Sequence, residues 1–204
     1  MNFISDPKAI ETKSMAIIDK LIAHLSFPAE ELPVVKRVVH TTGDPNYAEI
    51  IKISSGAVAA GLQAIRSGCH ILTDVNMLKT GINQTKASAF NCEITCDIAD
   101  PEVAAESKAT GLTRAMIALH KNRQKINGGI IAIGNAPTAL FELMNLMRAG
   151  ATPALVIGTP VGFVGARESK ELLANLDVPH ITIVGNKGGS TVAASIVNAL
   201  LYMA

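Results

Sequence analysis

Apolar positions near the start of the chain recur at helical spacing. Ile10, Ala16, Ile17, Leu21 and Leu25 form one stripe, with Ser5 or Asp6 placed to cap it and Pro7 in its first turn. Ser14 lies on that helix among the polar residues Glu11, Lys13 and Asp19. A second helix is predicted from about Glu30 to Thr41, ended by Gly43 and Pro45. Gly56 to Ser67 reads as a small-residue helix stopped by Gly68, and Cys69–Asp74 as a short buried strand. A polar turn with Lys79 and Thr80 is expected over Asp74–Gly81, and a further strand over Glu93–Cys96. Pro101 to about Lys121 reads as one long helix, acidic at its start and basic at its end, as the helix dipole favours.

The last third alternates without interruption. Strands are predicted at Gly129–Ile133, Ala154–Ile157 and His180–Val184, and helices at Ala136–Arg148, Glu168–Asn175 and Thr191–Met203. The strand runs are continuously aliphatic, as in strands buried on both faces. The pattern predicts an α/β fold: a doubly wound parallel sheet with helices on both faces, preceded by a helical N-terminal segment. No linker, low-complexity stretch or internal repeat divides it, so residues 1–204 read as one domain.

Composition narrows the function. Apolar residues make up 49% and aromatics 3%, with no Trp, so the core is aliphatic. A formal charge of +1 and the lack of aromatic stacking platforms argue against nucleic-acid binding. Cys69, Cys92 and Cys96 are odd in number, which favours a reducing cytoplasm over a disulfide framework. The first eight residues have neither a basic n-region nor an apolar h-region, so no signal peptide is expected. No apolar run is long enough to suggest a membrane span.

Candidate chemistry begins at Arg37 and His40. Three residues apart on a helix, they are neighbours, and His is both acid and base near neutrality. The plainer reading is a helix-end His that is merely solvated. Three loops at the strand ends supply context: Gly134–Thr138, containing Asn135; Gly158–Arg167; and Gly185–Ser190, containing Lys187. Glycine-rich approaches to helix N-termini expose N–H groups that favour anions, and Arg167 and Lys187 add charge. The plainer reading there is tight strand–helix turns. Nucleotide-binding and esterase glycine motifs are missing, and Cys92, Cys96 and His120 are a poor metal set. A carboxylated organic substrate and proton chemistry remain.

The chain resembles the precorrin-8X methylmutase (cobalt-precorrin-8 methylmutase) family of cobalamin biosynthesis. Arg37-Val38-Val39-His40, Thr73-Asp74-Val75-Asn76-Met77, Ile133 to Leu140, Gly158 to Val164 with Ala166 to Lys170, and Gly185 to Ser190 carry the resemblance. It implies a flavodoxin-like fold, a homodimer, and an isomerase that moves a methyl group from C-11 to C-12 of a corrinoid, without cofactor or metal. It places the acid/base histidine at His40 and substrate contacts at Ser14 and Arg37. Thr80, Arg114, Asn135, Arg167 and Lys187 complete the candidate contacts to a tetrapyrrole with several carboxylates. Two other readings stand beside it: a non-enzymatic corrinoid carrier, which would not need His40, and a flavin-binding flavodoxin relative, which the missing phosphate motifs weaken.

Overall fold

The computed structural model describes residues 4–204, so the part of the no-leader reading that rests on Met1–Phe3 lies outside the described residues. Asp6 accepts from the Ala9 N–H and caps α1 (Pro7–Leu21). Then come α2 (Leu32–Thr42), α3 (Tyr47–Ile50), β1 (Ile51–Ile53), α4 (Ala57–Arg66), β2 (His70–Thr73), α5 (Asn76–Gly81), α6 (Gln84–Ala89) and β3 (Glu93–Thr95). The second half runs α7 (Pro101–Thr110), α8 (Arg114–Lys121), α9 (Arg123–Ile126), β4 (Ile130–Ile133), α10 (Pro137–Arg148), β5 (Leu155–Gly158), α11 (Ala166–Ala174), β6 (His180–Ile183) and α12 (Ser190–Met203).

The strands form one mixed sheet in the order β1-β6-β5-β4-β2-β3. All neighbours are parallel except β1, which runs antiparallel along β6 with Ile51 opposite Ile183. Strand side chains alternate between faces, and the core divides accordingly. Ile130, Ala132, Leu155 and Ile157 pack with α2, α4 and α12. Ile131, Ile133 and Val156 pack with α8, α10 and α11. Each central strand is thus buried on both sides, which is why its sequence reads as an unbroken aliphatic run.

Several expectations are corrected. The single helix expected over 101–121 is two, because Gly111 takes a left-handed conformation at φ 74° and Thr113 caps α8. The polar turn expected over 74–81 holds a short helix, α5, with Leu78 fully buried. The sheet is not wholly parallel: Ile51-Lys52-Ile53 is too short to show periodicity, yet Ser54 fixes it, its Oγ accepting from the His180 N–H at 2.8 Å. On α1 the apolar stripe, to which the sequence alone assigns no burial, lies largely outside the core. Ile18 is buried, whereas Ile10, Ile17 and Leu21 are 44%, 50% and 47% exposed. No helix of the described residues is long and apolar enough to cross a membrane.

Candidate active site

The amphipathic pattern of α2 aims its polar side chains. Val34, Val35, Val38 and Val39 are buried against α12 and its neighbours, so Lys36, Arg37 and His40 turn outward. Gly43, at φ 65°, ends the helix with its N–H on the Val39 carbonyl. His40 therefore sits in the last turn of a helix anchored by four buried valines, with its ring exposed.

Two hollows meet at His40. One, of about 610 Å³, is bounded by Pro7, Ile10, Glu11, Arg37, His40 and Tyr202. The other, of about 210 Å³, is lined by Ser14, Ile17, Leu21, Val39, His40 and Pro45 among others. Ser14, Arg37 and His40, far apart in sequence, are thereby brought together. Among the described residues no hydrogen bond holds the His40 ring, so it is free to meet a ligand. Arg37 pairs with Glu11 at 3.0 Å. An exposed pair of this kind is worth about 0–1 kcal/mol, so an incoming carboxylate can displace Glu11 at little cost. The Ser14 hydroxyl donates to the Ile10 carbonyl at 2.8 Å, which leaves it to act towards a ligand as an acceptor.

The glycine-rich rim is organised differently. Its three loops do gather at one sheet edge, but they are tied to each other. Asp74, buried at the end of β2, accepts from the N–H groups of Gly134 at 3.1 Å and of Asn135 and Ala136 at 2.7 Å each. The Gly189 N–H donates to the Thr159 carbonyl at 2.8 Å and Gly162 N–H to the Asn186 carbonyl at 3.2 Å. The expectation of loops open to an anion is corrected here: several of their donors are already engaged. Burial pushes the Asp74 carboxyl above the usual carboxylate range, while its three N–H donors oppose that shift. The hollow beside it, lined by Thr73, Asp74, Thr95 and Asn122 among others, holds about 10 Å³, room for about one water.

The remaining predicted contacts are spread out. Lys187 reaches Asp44 at 2.6 Å, just beyond the end of α2, and lies over the Tyr47 ring. That pair links the rim to the His40 helix within one chain. The Lys187 hydrogen bond holds the Asp44 carboxyl below its ordinary range. Thr80 is exposed on α5, beside Gly81, whose carbonyl accepts from Asn198 of α12. Asn135 is exposed at the rim. Arg114 and Arg167 belong to α8 and α11 in the opposite helical layer, and Arg167 pairs with Glu171 at 2.6 Å.

Tyr202 was not legible as a site residue. It is 55% exposed, its ring lies 5.7 Å from the Arg37 guanidinium carbon, and its hydroxyl accepts from Asn83. The available signal was an amphipathic tyrosine at the end of a largely apolar helix, in a chain with only two tyrosines. Asp74 carried a signal too, a carboxylate directly after a buried strand. Among the described residues, no three His, Cys, Asp or Glu side chains cluster so as to hold a metal ion.

Comparison with known proteins supplies the context. A family model for precorrin-8X methylmutase matches residues 9–203. The cobalt-precorrin-8 methylmutase of Priestia megaterium is 44% identical, covering 97% of this chain and 88% of its own. The precorrin-8X methylmutase of Pseudomonas aeruginosa is 39% identical, covering 98% and 97%. The crystal structure of precorrin-8X methylmutase from Thermus thermophilus superposes with a TM-score of 0.91 at 42% identity, covering 96% of this chain and 95% of that one.

Proposed function

The chain belongs to the precorrin-8X methylmutase family, and from that premise we propose that His40 is the acid and base of its methyl migration. The enzyme is an isomerase of cobalamin biosynthesis. Its substrate is read as a corrinoid, precorrin-8X or cobalt-precorrin-8, whose methyl group moves from C-11 to C-12. The observation that carries the reading is the convergence of His40, Arg37 and Ser14 on open volume.

The chemistry needs no nucleophile. Protonated His40 gives its proton to the ring, the cationic π system lets the methyl group and its bonding pair migrate, and the neutral imidazole takes a proton back. No net proton is consumed. Positioned proton transfer contributes typically 10²–10⁴-fold. A substrate carboxylate that replaces Glu11 on Arg37 orients the ring, with Tyr202 as a flat wall beside it. Thr80 and Lys187 are read as outer contacts on the same side of the sheet, Asn135 at the rim, and Arg114 and Arg167 as contacts to peripheral carboxylates.

The finer fold reading is flavodoxin-like. Numbered among themselves, the five parallel strands run 2-1-3-4-5, the order of that fold, with β1 added at the edge. A single domain over 1–204 is supported by one sheet and its two core clusters. A homodimer is supported by the exposed Ile10, Ile17 and Leu21 on α1 and by Phe163 and Val164, 91% and 89% exposed. Ile10, Ile17 and Leu21 border the hollows at His40, so a second copy over α1 would wall the site. Three free cysteines suit a cytoplasmic setting.

The test is conversion of metal-free and cobalt-containing substrate, followed by the change in absorption spectrum. Wild type should convert at least one of them; binding without any spectral change would make the protein a carrier. Mixing His40→Ala chains with chains inactivated in the 158–167 loop tests the shared wall. Recovered activity supports a second copy at the site, and none despite subunit exchange places the pocket in one chain.

A further inference from the structure

Lys170 is the largest of the fully buried side chains, 2% exposed on α11. Its ammonium donates to the Lys187 carbonyl at 2.6 Å. Among the described residues no carboxylate pairs with it. An ammonium buried without a counter-charge is costly, and an apolar side chain of similar volume is usually as good or better for stability. A residue that opposes stability in this way calls for another reason to be there.

The reason lies in what the carbonyl belongs to. The 185–189 loop contains Gly185, Gly188 and Gly189, all at positive φ, so little in its own sequence stiffens it. Lys170 pins its centre. From that same residue the Lys187 side chain reaches Asp44 at 2.6 Å. Asp44 in turn accepts from the Asn46 N–H at 3.0 Å, and its own N–H donates to the Thr42 hydroxyl at 3.3 Å. Thr42 donates to the Val38 carbonyl inside α2 at 2.9 Å. A continuous series of contacts runs from α11 to the turn that holds His40.

We propose that Lys170 is a positioning residue for the His40 reaction, holding the Lys187 backbone so that the Lys187–Asp44 pair fixes the end of α2. The inference rests on the proposed role of His40. Lys170 touches no substrate; it acts on where the acid sits. A misplacement of about 1 Å can cost up to about 10² in rate, and a loosened clamp is expected to cost about a tenth of that.

The test joins stability to kinetics. Lys170→Met should fold with a Tm equal to or above wild type, while kcat falls about tenfold and KM changes less than about threefold. Asp44→Asn should lower kcat similarly, and the double variant should lose no more than the worse single, since both act through one clamp. Wild-type kcat in Lys170→Met overturns the proposal. So does a Tm that falls in step with the rate, a variant that cannot fold, or losses that multiply in the double. His40→Ala run alongside separates the layers. If it stays active, the underlying reading has failed; if it is inactive while Lys170→Met is at wild-type rate, only the clamp has failed.

Discussion

The face around His40 and the glycine-rich rim both present polar groups to solvent near the sheet, yet they use them in opposite ways. At the rim the polar groups are mostly backbone, and they are already engaged: the Asp74 carboxylate alone takes three N–H groups of the Gly134 loop. Around His40 the polar groups are side chains on an anchored helix, and they border about 610 Å³ of open volume. The rim is a fastening, and the helical face is the work surface we propose. A glycine-rich loop advertises available N–H groups in sequence, but availability depends on whether a distant carboxylate has already claimed them.

Breaking the fastening should produce the largest stability effect. Asp74→Ala leaves three N–H groups without their acceptor. At about 1–3 kcal/mol for the buried Gly134 donor and less for the part-buried Asn135 and Ala136 donors, the expected cost is about 2–4 kcal/mol. Urea unfolding measures it. A variant as stable as wild type would mean that the rim donors find water and that the rim is as open as the helical face.

On the work surface, substitutions should change binding and leave stability alone. Arg37→Lys keeps the charge but loses the planar two-pronged donor. Substrate affinity should weaken about tenfold, near 1.4 kcal/mol, with Tm unchanged. Equal affinity in a calorimetric titration would mean that Arg37 does not hold a carboxylate in this manner.

The region between the two can be read by pH. Burial lowers the Lys170 ammonium from 10.5 to about 8. Between those values the unfolded chain binds more protons at this site than the folded one, so rising pH favours folding. The destabilising effect of the buried charge is present below pH 8 and relieved towards pH 10.5. Any Tm advantage of Lys170→Met over wild type should therefore shrink across that window. A gap that widens or stays constant would show that the ammonium is not the origin of the difference. The smallest effect belongs to Ser14→Ala. Its hydroxyl proton is already used within α1, so the loss of substrate affinity should stay below about 1 kcal/mol; a larger loss would make Ser14 a principal contact.

Legibility in the sequence followed the same division. The last three strands and their helices were plain, because strands buried on both faces must be aliphatic throughout and glycine marks their exits. That Arg37 and His40 border one hollow was legible as their helical spacing. What stayed hidden depends on tertiary partners. Ile51-Lys52-Ile53 becomes a strand only because β6 offers an edge and Ser54 a hydrogen bond. Gly111 and Thr113 divide an apparently continuous helix through one positive φ and one cap. The apolar stripe of α1 was legible, but not its exposure, since periodicity reports that a face is apolar and not what covers it. Asp74 looked like the start of a polar turn, and nothing in local spacing marked Lys170 as buried or showed the carbonyl it serves.

The division between fastening and work surface stands or falls at His40. Single-turnover conversion by His40→Ala, with Tm and substrate affinity measured on the same preparation, tests it most directly. The expected result is a rate at least about 10² below wild type, with Tm and affinity essentially unchanged and partial recovery on adding free imidazole, for which the exposed site has room. A variant that keeps more than about a tenth of the wild-type rate would contradict the assignment of proton transfer to this face.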